Sequence, residues 1–157
     1  MIRHFTASVF VIDSHKRVLL LWHKKSQTWM PPGGHIDENE LPEDAARREC
    51  KEETGLDVEV IGDTQDDLFK ANPREGRILK KPFAFLLEEI EERPNEPAHQ
   101  HMDFVYLAKP IDETQTLILA EQEGEEVRWF TKEEVDGIPN GEMYANVREY
   151  IQSVLIL

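Results

Sequence analysis

The segment GHIDENELPEDAARRECKEETGL, residues 34–56, carries the most specific pattern in the sequence. Within it, residues 43–54 contain no glycine or proline and are rich in Ala, Glu, Arg and Lys, and Gly55 follows them directly. A run of strong helix formers that stops at a glycine is typical of a helix with a glycine C-terminal cap. The segment therefore predicts a helix over residues 43–54.

The glutamates of this helix are not spread evenly around it. On a helix with about 100° between residues, one sector roughly 100° wide holds Glu49, Glu52 and Glu53. In or beside this sector lie the small or apolar residues Ala45, Ala46 and Cys50. The opposite side is charged and holds Glu43, Asp44, Arg47, Arg48 and Lys51. Because apolar residues mark the side that faces the protein, we expect the three glutamates to lie against the fold or at its edge.

Three carboxylates on one helix face need an explanation. Like charges three or four residues apart destabilise a helix by about 0.2–0.5 kcal/mol per pair, and partial burial adds to that. A hard divalent cation such as Mg²⁺ or Mn²⁺ would reverse the effect, since carboxylate oxygens are its preferred ligands. The alternative is an ordinary charged surface helix, with Glu43–Arg47 and Asp44–Arg48 as ion pairs. The glutamate cluster alone leaves both interpretations open.

The spacing of charged residues and glycines narrows the choice. Gly34 is followed after five residues by Glu40, and after seven more by RECKEETGL at residues 48–56. This arrangement resembles the signature of the Nudix hydrolases. Every charged position and every glycine position of that signature is present in this chain. Cys50 stands where a larger aliphatic residue is usual. Leu41 stands where a capping Ser or Thr is usual, so the helix cap is weaker or comes from Asn39. We interpret residues 34–56 as a Nudix box.

The resemblance covers most of the chain and implies a fold. It implies a single Nudix domain over residues 1–157 with an α/β (α+β) architecture. The expected form is an α/β/α sandwich with a mixed, curved β-sheet, with the box helix on one side and the C-terminal helix on another.

The resemblance also implies an activity. Nudix enzymes are Mg²⁺-dependent (or Mn²⁺-dependent) pyrophosphohydrolases, which cleave a nucleoside diphosphate linked to another moiety X, or a nucleoside triphosphate, by attack of water on phosphorus. The implied metal site consists of Glu49, Glu52, Glu53 and the backbone of Gly34. The implied catalytic set is Glu49, Arg48 and Glu52. Glu49 is then a ligand or the base that orients water, and Arg48 holds Glu40 or Glu49 in place.

Two further residues outside the box are candidates for substrate binding. Trp29 precedes the PPGG segment and either stacks on a base or supports the loop from a half-buried position. Glu123 is one of three glutamates in a late loop, with Glu121 and Glu125. Some members of the family place their general base in such a loop, and a solvated acidic loop is the alternative.

His101 is the third candidate for substrate binding. If its strand begins early enough, His99, His101 and Asp103 share one strand face. These residues would then contact phosphate or form a second metal site. The alternative is a row of polar side chains on a solvent-exposed face.

A second class of function uses the same fold without catalysis. A catalytically silent Nudix module would sense or bind nucleotides. Such modules typically lose the metal-binding glutamates, and this chain retains all of them. The retained glutamates therefore favour an enzyme.

The composition restricts the partners. The chain has 32 acidic and 18 basic residues, for a formal net charge of −14. So negative a surface repels a polyanion, which predicts that polymeric nucleic acid is not a partner. The family resemblance then implies a small-molecule nucleotide substrate. The longest apolar runs, residues 9–12 and 18–22, are far shorter than the ~18–20 residues of a membrane span. We expect a cytoplasmic protein with no membrane segment. Its single cysteine excludes an internal disulfide. A homodimer is one assembly that the sequence leaves open.

Local patterns predict the remaining elements. Strands are expected at residues 5–12 and 17–22, joined as a hairpin, and PPGG at residues 31–34 is expected to be a loop. Later segments predict strands at residues 56–61, 83–90, 102–107 and 126–130, with an irregular stretch at residues 62–81. A capping box at residues 131–134 and an amphipathic helix over residues 143–154 complete the chain.

Overall fold

The structure is a computed structural model that describes residues 1–63 and 72–156. Eight strands are present in that part of the chain: β1 Arg3–Val11, β2 Val18–His23, β3 Thr28–Met30, β4 Gly33–His35, β5 Val58–Ile61, β6 Ala84–Ile90, β7 His99–Pro110 and β8 Gly124–Phe130. The helices are α1 Pro42–Thr54, α2 Lys132–Asp136 and α3 Ala145–Leu155, with a 3₁₀ turn at Asn140–Glu142. The predicted irregular stretch falls partly on residues 64–71, which lie outside the described residues.

The strands form two sheets. The first sheet has the order β4-β1-β7-β5, and β6 pairs with the same edge of β7 as β5 does. In it β1 and β7 run parallel over nine residue pairs, whereas the other pairings are antiparallel. The second sheet has the order β3-β2-β8 and is antiparallel. The expected mixed sheet is therefore confirmed.

Two cores hold these layers together. The first is formed by α1 against β1, β5 and β7 of the first sheet, with Leu19 of β2. The second is formed by the other face of the first sheet, the second sheet, α2 and α3. The box helix and the C-terminal helix thus lie on opposite sides of the first sheet, as the resemblance implies. Among the helices of the described residues, none is long and apolar enough to cross a membrane.

The predicted hairpin between the first two strands is wrong. β1 and β2 belong to different sheets, and Ile12 and Val18 form an isolated antiparallel bridge. Both edges of β1 are already occupied, one by β4 and the other by β7. The Asp13 carboxylate accepts the backbone N–H of Arg17 at 2.8 Å and pairs with its guanidinium, which fixes the turn that leads the chain to the second sheet.

The predicted loop at PPGG is wrong for its two glycines. Gly33 and Gly34 belong to β4, which pairs with Ala7 and Ser8 of β1. The strand approaches β1 so closely that a Cβ added at Gly33 would lie 2.7 Å from the Ser8 Cβ atom. Local turn statistics favoured a loop at these glycines, but in the fold their missing side chains allow close strand pairing.

The helix ends match most of the sequence expectations. α1 ends at Gly55, whose φ of 73° is left-handed and whose N–H donates to the Lys51 carbonyl. Its N-cap is Leu41 without a side-chain hydrogen bond, so of the two expected alternatives the weaker cap is present and the Asn39 cap is not. The capping box of Thr131 and Glu134 is confirmed at the start of α2. α3 begins at Ala145, two residues later than the predicted helix.

Candidate functional site

Two carboxylates of α1, Glu49 and Glu53, lie against β4, and a third, Glu52, is linked to Glu49 through Arg48. Glu53 is buried, with 5% of its surface exposed. Glu49 is partly buried, and the side chain of Glu52 is 58% exposed. The helix geometry explains the gradient, because Glu53 lies nearest to the middle of the buried arc and Glu52 at its margin. The expectation that all three lie against the fold or at its edge is confirmed.

Glu53 is the most constrained of the three. Its Oε2 accepts the backbone N–H of Gly33 at 3.0 Å, which ties the helix to β4. Burial raises the pKa of Glu53 to about 8, and the negative charges of Glu49, Glu123 and Glu52 act in the same direction. A buried carboxylate beside other carboxylates is stable in its charged form only when a cation neutralises it.

Glu49 occupies the space that a side chain at residue 34 would need. A Cβ added at Gly34 would lie 2.6 Å from the Glu49 carboxyl carbon. Burial raises the pKa of Glu49, while its hydrogen bond from Arg48 opposes that shift. Gly34 is therefore required because the carboxylate of Glu49 lies directly against the β4 backbone.

Arg48 holds the surrounding groups together. Its guanidinium donates two hydrogen bonds to Glu40, at 2.8 and 2.9 Å. It also donates to Glu49 at 2.8 Å, to Glu52 at 3.2 Å and to the His35 carbonyl at 2.9 Å. The Glu40 hydrogen bonds raise the pKa of Arg48 above its ordinary value. With its donors engaged in this way, Arg48 contacts both Glu40 and Glu49, between which the resemblance left the choice open, and it also contacts Glu52.

The late loop reaches this site through backbone contacts. The N–H of Ile118 donates to the Thr54 carbonyl at 2.7 Å, and that of Ala120 donates to the Glu53 carbonyl at 3.0 Å. Glu123 follows this anchored stretch and is exposed, and its charge acts on the pKa of Glu53. Among the three late glutamates, Glu123 is therefore the one that the structure relates to the α1 carboxylates.

The donor set fits a hard divalent cation. Glu49, Glu52 and Glu53 supply carboxylate oxygens, and the ion pairs that the structure shows to Glu49 and Glu52 come from Arg48. Glu53 is buried, and none of the ion pairs of the described residues gives it a cationic partner. Oxygen-rich, negatively charged sites of this kind are what Mg²⁺ and Mn²⁺ bind. The burial of Glu53 and the partial burial of Glu49 do not fit a fully solvated helix face.

The placement of Glu43 on the outer side of the helix is wrong. Glu43 is 8% exposed, and its Oε2 has no hydrogen-bond partner among the described residues. Its Oε1 lies 3.9 Å from Arg47, so the expected pair is present but loose. Glu43 precedes Cys50 by seven residues and therefore lies almost in line with this buried residue on the helix. Cys50 itself is buried, and burial raises the pKa of its thiol to about 12, which agrees with a packing role.

Trp29 belongs to the second core. It is 7% exposed and packs edge-on against Trp22 and Phe130, with ring centroids 5.5 and 4.7 Å apart. Its place in strand β3 supports the β3–β4 connection, so the geometry favours the supporting role over stacking on a substrate base. The expected half-buried position is wrong, since the side chain is buried.

His101 shares a face of β7 with His99 and Asp103, because β7 begins at His99. The alternative of a solvent-exposed row is wrong, since His99 and Asp103 are buried. Asp103 accepts hydrogen bonds from Thr6 at 2.8 Å and Ser8 at 2.6 Å. These contacts explain Asp103 as a structural acceptor.

Sequence reasoning missed two histidines near His101. His4 of β1 is the direct strand partner of His101, and the His35 ring lies 5.2 Å from the His101 ring, centroid to centroid. The parallel register of β1 with β7 brings His4 beside His101, and this register cannot be read from the two segments separately.

Comparisons with known proteins agree with this architecture. A family model described as "NUDIX domain" matches residues 2–153. A solved structure of a NUDIX-family hydrolase from Clostridium perfringens is 32% identical, with a TM-score of 0.81, over 99% of this chain and 98% of that one.

Two curated relatives carry names of enzymes. An "RNA pyrophosphohydrolase" of Hydrogenovibrio crunogenus is 40% identical over 67 residues, which are 40% of this chain and 41% of that protein. A "Probable DHNTP pyrophosphohydrolase" of Lactococcus lactis subsp. cremoris is 32% identical over 120 residues, 76% of this chain and 57% of that protein. The matched parts thus span about two fifths and just over half of these relatives.

Proposed function

The chain belongs to the Nudix family, and from this premise we propose that it is a divalent-metal-dependent pyrophosphohydrolase that acts on phosphoric anhydride bonds. The substrate class is a nucleoside triphosphate or a nucleoside diphosphate linked to another moiety X. We place residues 1–157 in one catalytic domain, since β1 and β7 contribute to both cores.

The observation that carries this proposal is the placement of Glu49 and Glu53 against the backbone of β4, with Glu52 on the same helix and held by Arg48. Glu53 is buried and accepts the Gly33 N–H, and Glu49 fills the space beside Gly34. Such an arrangement is costly for a protein that binds no cation, because the like charges destabilise the helix and the buried carboxylate.

In the proposed mechanism, Glu49, Glu52 and Glu53 would hold Mg²⁺ or Mn²⁺ together with the backbone of Gly34. When bound there, the cation would neutralise charge on the phosphoryl oxygens and lower the pKa of water. Arg48 keeps the carboxylates of Glu49 and Glu52 in position through its hydrogen bonds and does not contact substrate. We class it as a positioning residue.

The proton of the attacking water needs an acceptor. Glu123 is our first candidate, because its charge acts on the pKa of Glu53 and its side chain is exposed. Glu49 is the second candidate, but its oxygens are engaged by Arg48 and by the proposed cation. We assign no substrate contact to Trp29, which is buried.

The substrate is proposed to be small. The net charge of −14 opposes a polyanion. The RNA pyrophosphohydrolase matches this chain over only 41% of its own length, so its substrate is not carried over to this chain. A panel of nucleoside triphosphates, DHNTP, nucleoside diphosphate conjugates and 5′-triphosphorylated RNA, assayed with Mg²⁺ and Mn²⁺, tests this. We expect turnover of small nucleotides with a nucleoside monophosphate as one product.

Two other results of the panel would contradict the proposal. Turnover of 5′-triphosphorylated RNA without turnover of any small nucleotide would show that the substrate class is wrong. Tight nucleotide binding without turnover of any substrate would instead show a nucleotide-sensing module that has kept the fold.

Replacement of Gly34 tests the close contact with Glu49. We expect Gly34→Ala to lower kcat by about a hundredfold, since the new methyl group would displace the Glu49 carboxylate by an ångström or so. Gly141→Ala is the matched control, because an added Cβ there meets no atom within 4 Å. The measurement is kcat with Mg²⁺, with a thermal melt to establish folding. Wild-type turnover by folded Gly34→Ala would show that the position of Glu49 does not matter.

A further inference from the structure

Four histidines gather on the first sheet, at the ends of three neighbouring strands. His4 is near the start of β1, His35 ends β4, and His99 and His101 begin β7. His4 and His101 are direct partners in the parallel register, so their side chains lie side by side on the same face. His99 is 3% exposed, and His4, His35 and His101 lie around it toward the surface.

The nitrogen atoms of this cluster are close enough to share one ion. The Nε2 atoms of His99 and His101 are 3.0 Å apart, and His4 Nδ1 is 3.2 Å from His35 Nε2. One nitrogen from each of His4, His99 and His101 lies within 4.8 Å of the others. A tetrahedral ion with metal–nitrogen bonds of about 2.0–2.1 Å needs nitrogens about 3.3 Å apart. Small side-chain rotations therefore suffice to close the site.

The protonation of the rings suits metal binding. The Pro97 carbonyl can only accept a hydrogen bond, so His99 Nδ1, 2.9 Å away, carries the proton and Nε2 presents its lone pair to the cluster. A carbonyl that orients a ligand histidine in this way is the usual second partner of a metal-bound imidazole.

One carboxylate faces the cluster. Glu96 Oε1 lies 3.9 Å from His99 Nε2 and can offset part of the charge of a divalent cation. Glu88 of β6 is paired directly with His101 in the antiparallel register.

In the metal-free cluster, the N–H at His101 Nε2 donates a hydrogen bond to His99 Nε2, 3.0 Å away. For both of these nitrogens to bind an ion, the proton on His101 must move to its Nδ1 atom.

We propose that His4, His99 and His101 form a second metal site, which binds a borderline transition-metal ion, with Zn²⁺ as the expected occupant. His35 or water takes the fourth position. The site differs in chemistry from the carboxylate cluster, because imidazole nitrogen selects Zn²⁺, Cu²⁺ or Ni²⁺, whereas carboxylates select Mg²⁺ or Mn²⁺. It is joined to that cluster through His35, whose carbonyl accepts a hydrogen bond from Arg48.

Titration of the metal-free protein with Zn²⁺ in excess Mg²⁺ tests this proposal, since Mg²⁺ occupies the carboxylates. We expect one Zn²⁺ per chain in wild type and at least about tenfold weaker binding in His101→Gln and His4→Gln. His15→Gln is the matched control, because His15 is exposed in the turn between β1 and β2. Its affinity for Zn²⁺ should equal that of wild type.

A wild-type readout keeps the test independent of variant folding. Co²⁺ bound to three imidazoles in a tetrahedral site gives intense visible absorption, which octahedral oxygen sites do not give. We expect this absorption in wild type and its loss in His4→Gln, which replaces a partly exposed side chain. Absence of the absorption in wild type, or equal Zn²⁺ affinity of wild type and a folded His101→Gln, would overturn the proposal. Neither result would affect the carboxylate site.

Discussion

Replacement of Glu53 by glutamine is expected to lower kcat by at least about a hundredfold, which corresponds to about 2.7 kcal/mol in the activation barrier. The amide keeps the shape of the side chain, and its oxygen can still accept the Gly33 N–H that Glu53 accepts at 3.0 Å. What is lost is the negative charge, and a neutral amide is a poorer ligand for a hard cation. The measurement is kcat at saturating Mg²⁺ with a small nucleotide substrate.

Glu52→Gln is expected to produce a loss of the same order, although Glu52 is exposed. Both variants should melt at the same or a higher temperature than wild type in EDTA, because Glu52→Gln relieves like-charge repulsion on α1 and Glu53→Gln removes a buried ionisable group. Glu133→Gln, exposed in α2, is the control and should leave kcat unchanged. Glu43→Gln changes a buried group and is less suitable as a control, though we expect it to leave the rate almost unchanged. If Glu52→Gln and Glu53→Gln turn over like wild type, the cluster has no catalytic role.

Removal of divalent metal is expected to abolish hydrolysis. After treatment with EDTA and dialysis, the carboxylates of α1 repel one another and repel the phosphates of the substrate. Addition of Mg²⁺ or Mn²⁺ should restore the activity. Restoration by Mg²⁺ is informative because imidazole sites bind this ion poorly, so the histidine cluster cannot explain it. Undiminished hydrolysis in excess EDTA would show that no divalent metal is needed.

The local features of the box could be predicted from the sequence. The helix, its end at Gly55 and the shared face of Glu49 and Glu53 follow from helical periodicity and from glycine conformation, which act within a few residues. The link from Arg48 to Glu40 came from the resemblance to the family. The fold class came from the same source, because mixed strands and helices alone predict only an α/β or α+β domain.

The features that depend on strand pairing could not be predicted. Two neighbouring strands with a short turn usually form a hairpin, yet here β4 and β7 occupy both edges of β1. The same long-range pairing brings His4 to His101, which are 97 positions apart in the sequence. Pairing at this distance depends on the whole sheet, so no local pattern encodes it.

Burial around α1 shows a smaller limit of the same kind. The side of the helix opposite the glutamates was expected to be exposed, but Glu43 is buried. Helical angles place Glu43 in line with Cys50, and the buried arc extends farther than the apolar residues alone indicate. The sheet determines how much of the helix surface is buried, so the helix sequence alone predicts this burial only in part.

The most direct test of the carboxylate site is the equilibrium binding of Mn²⁺, measured from the EPR signal of the free ion. It reports the cation itself and does not depend on knowing the substrate. We predict that wild type and Glu133→Gln bind Mn²⁺ equally, that Glu53→Gln binds it at least about tenfold more weakly, and that His101→Gln, which leaves the carboxylates intact, binds it as wild type does. Equal affinity of wild type and folded Glu53→Gln for Mn²⁺ would contradict the assignment of this cluster as the metal site.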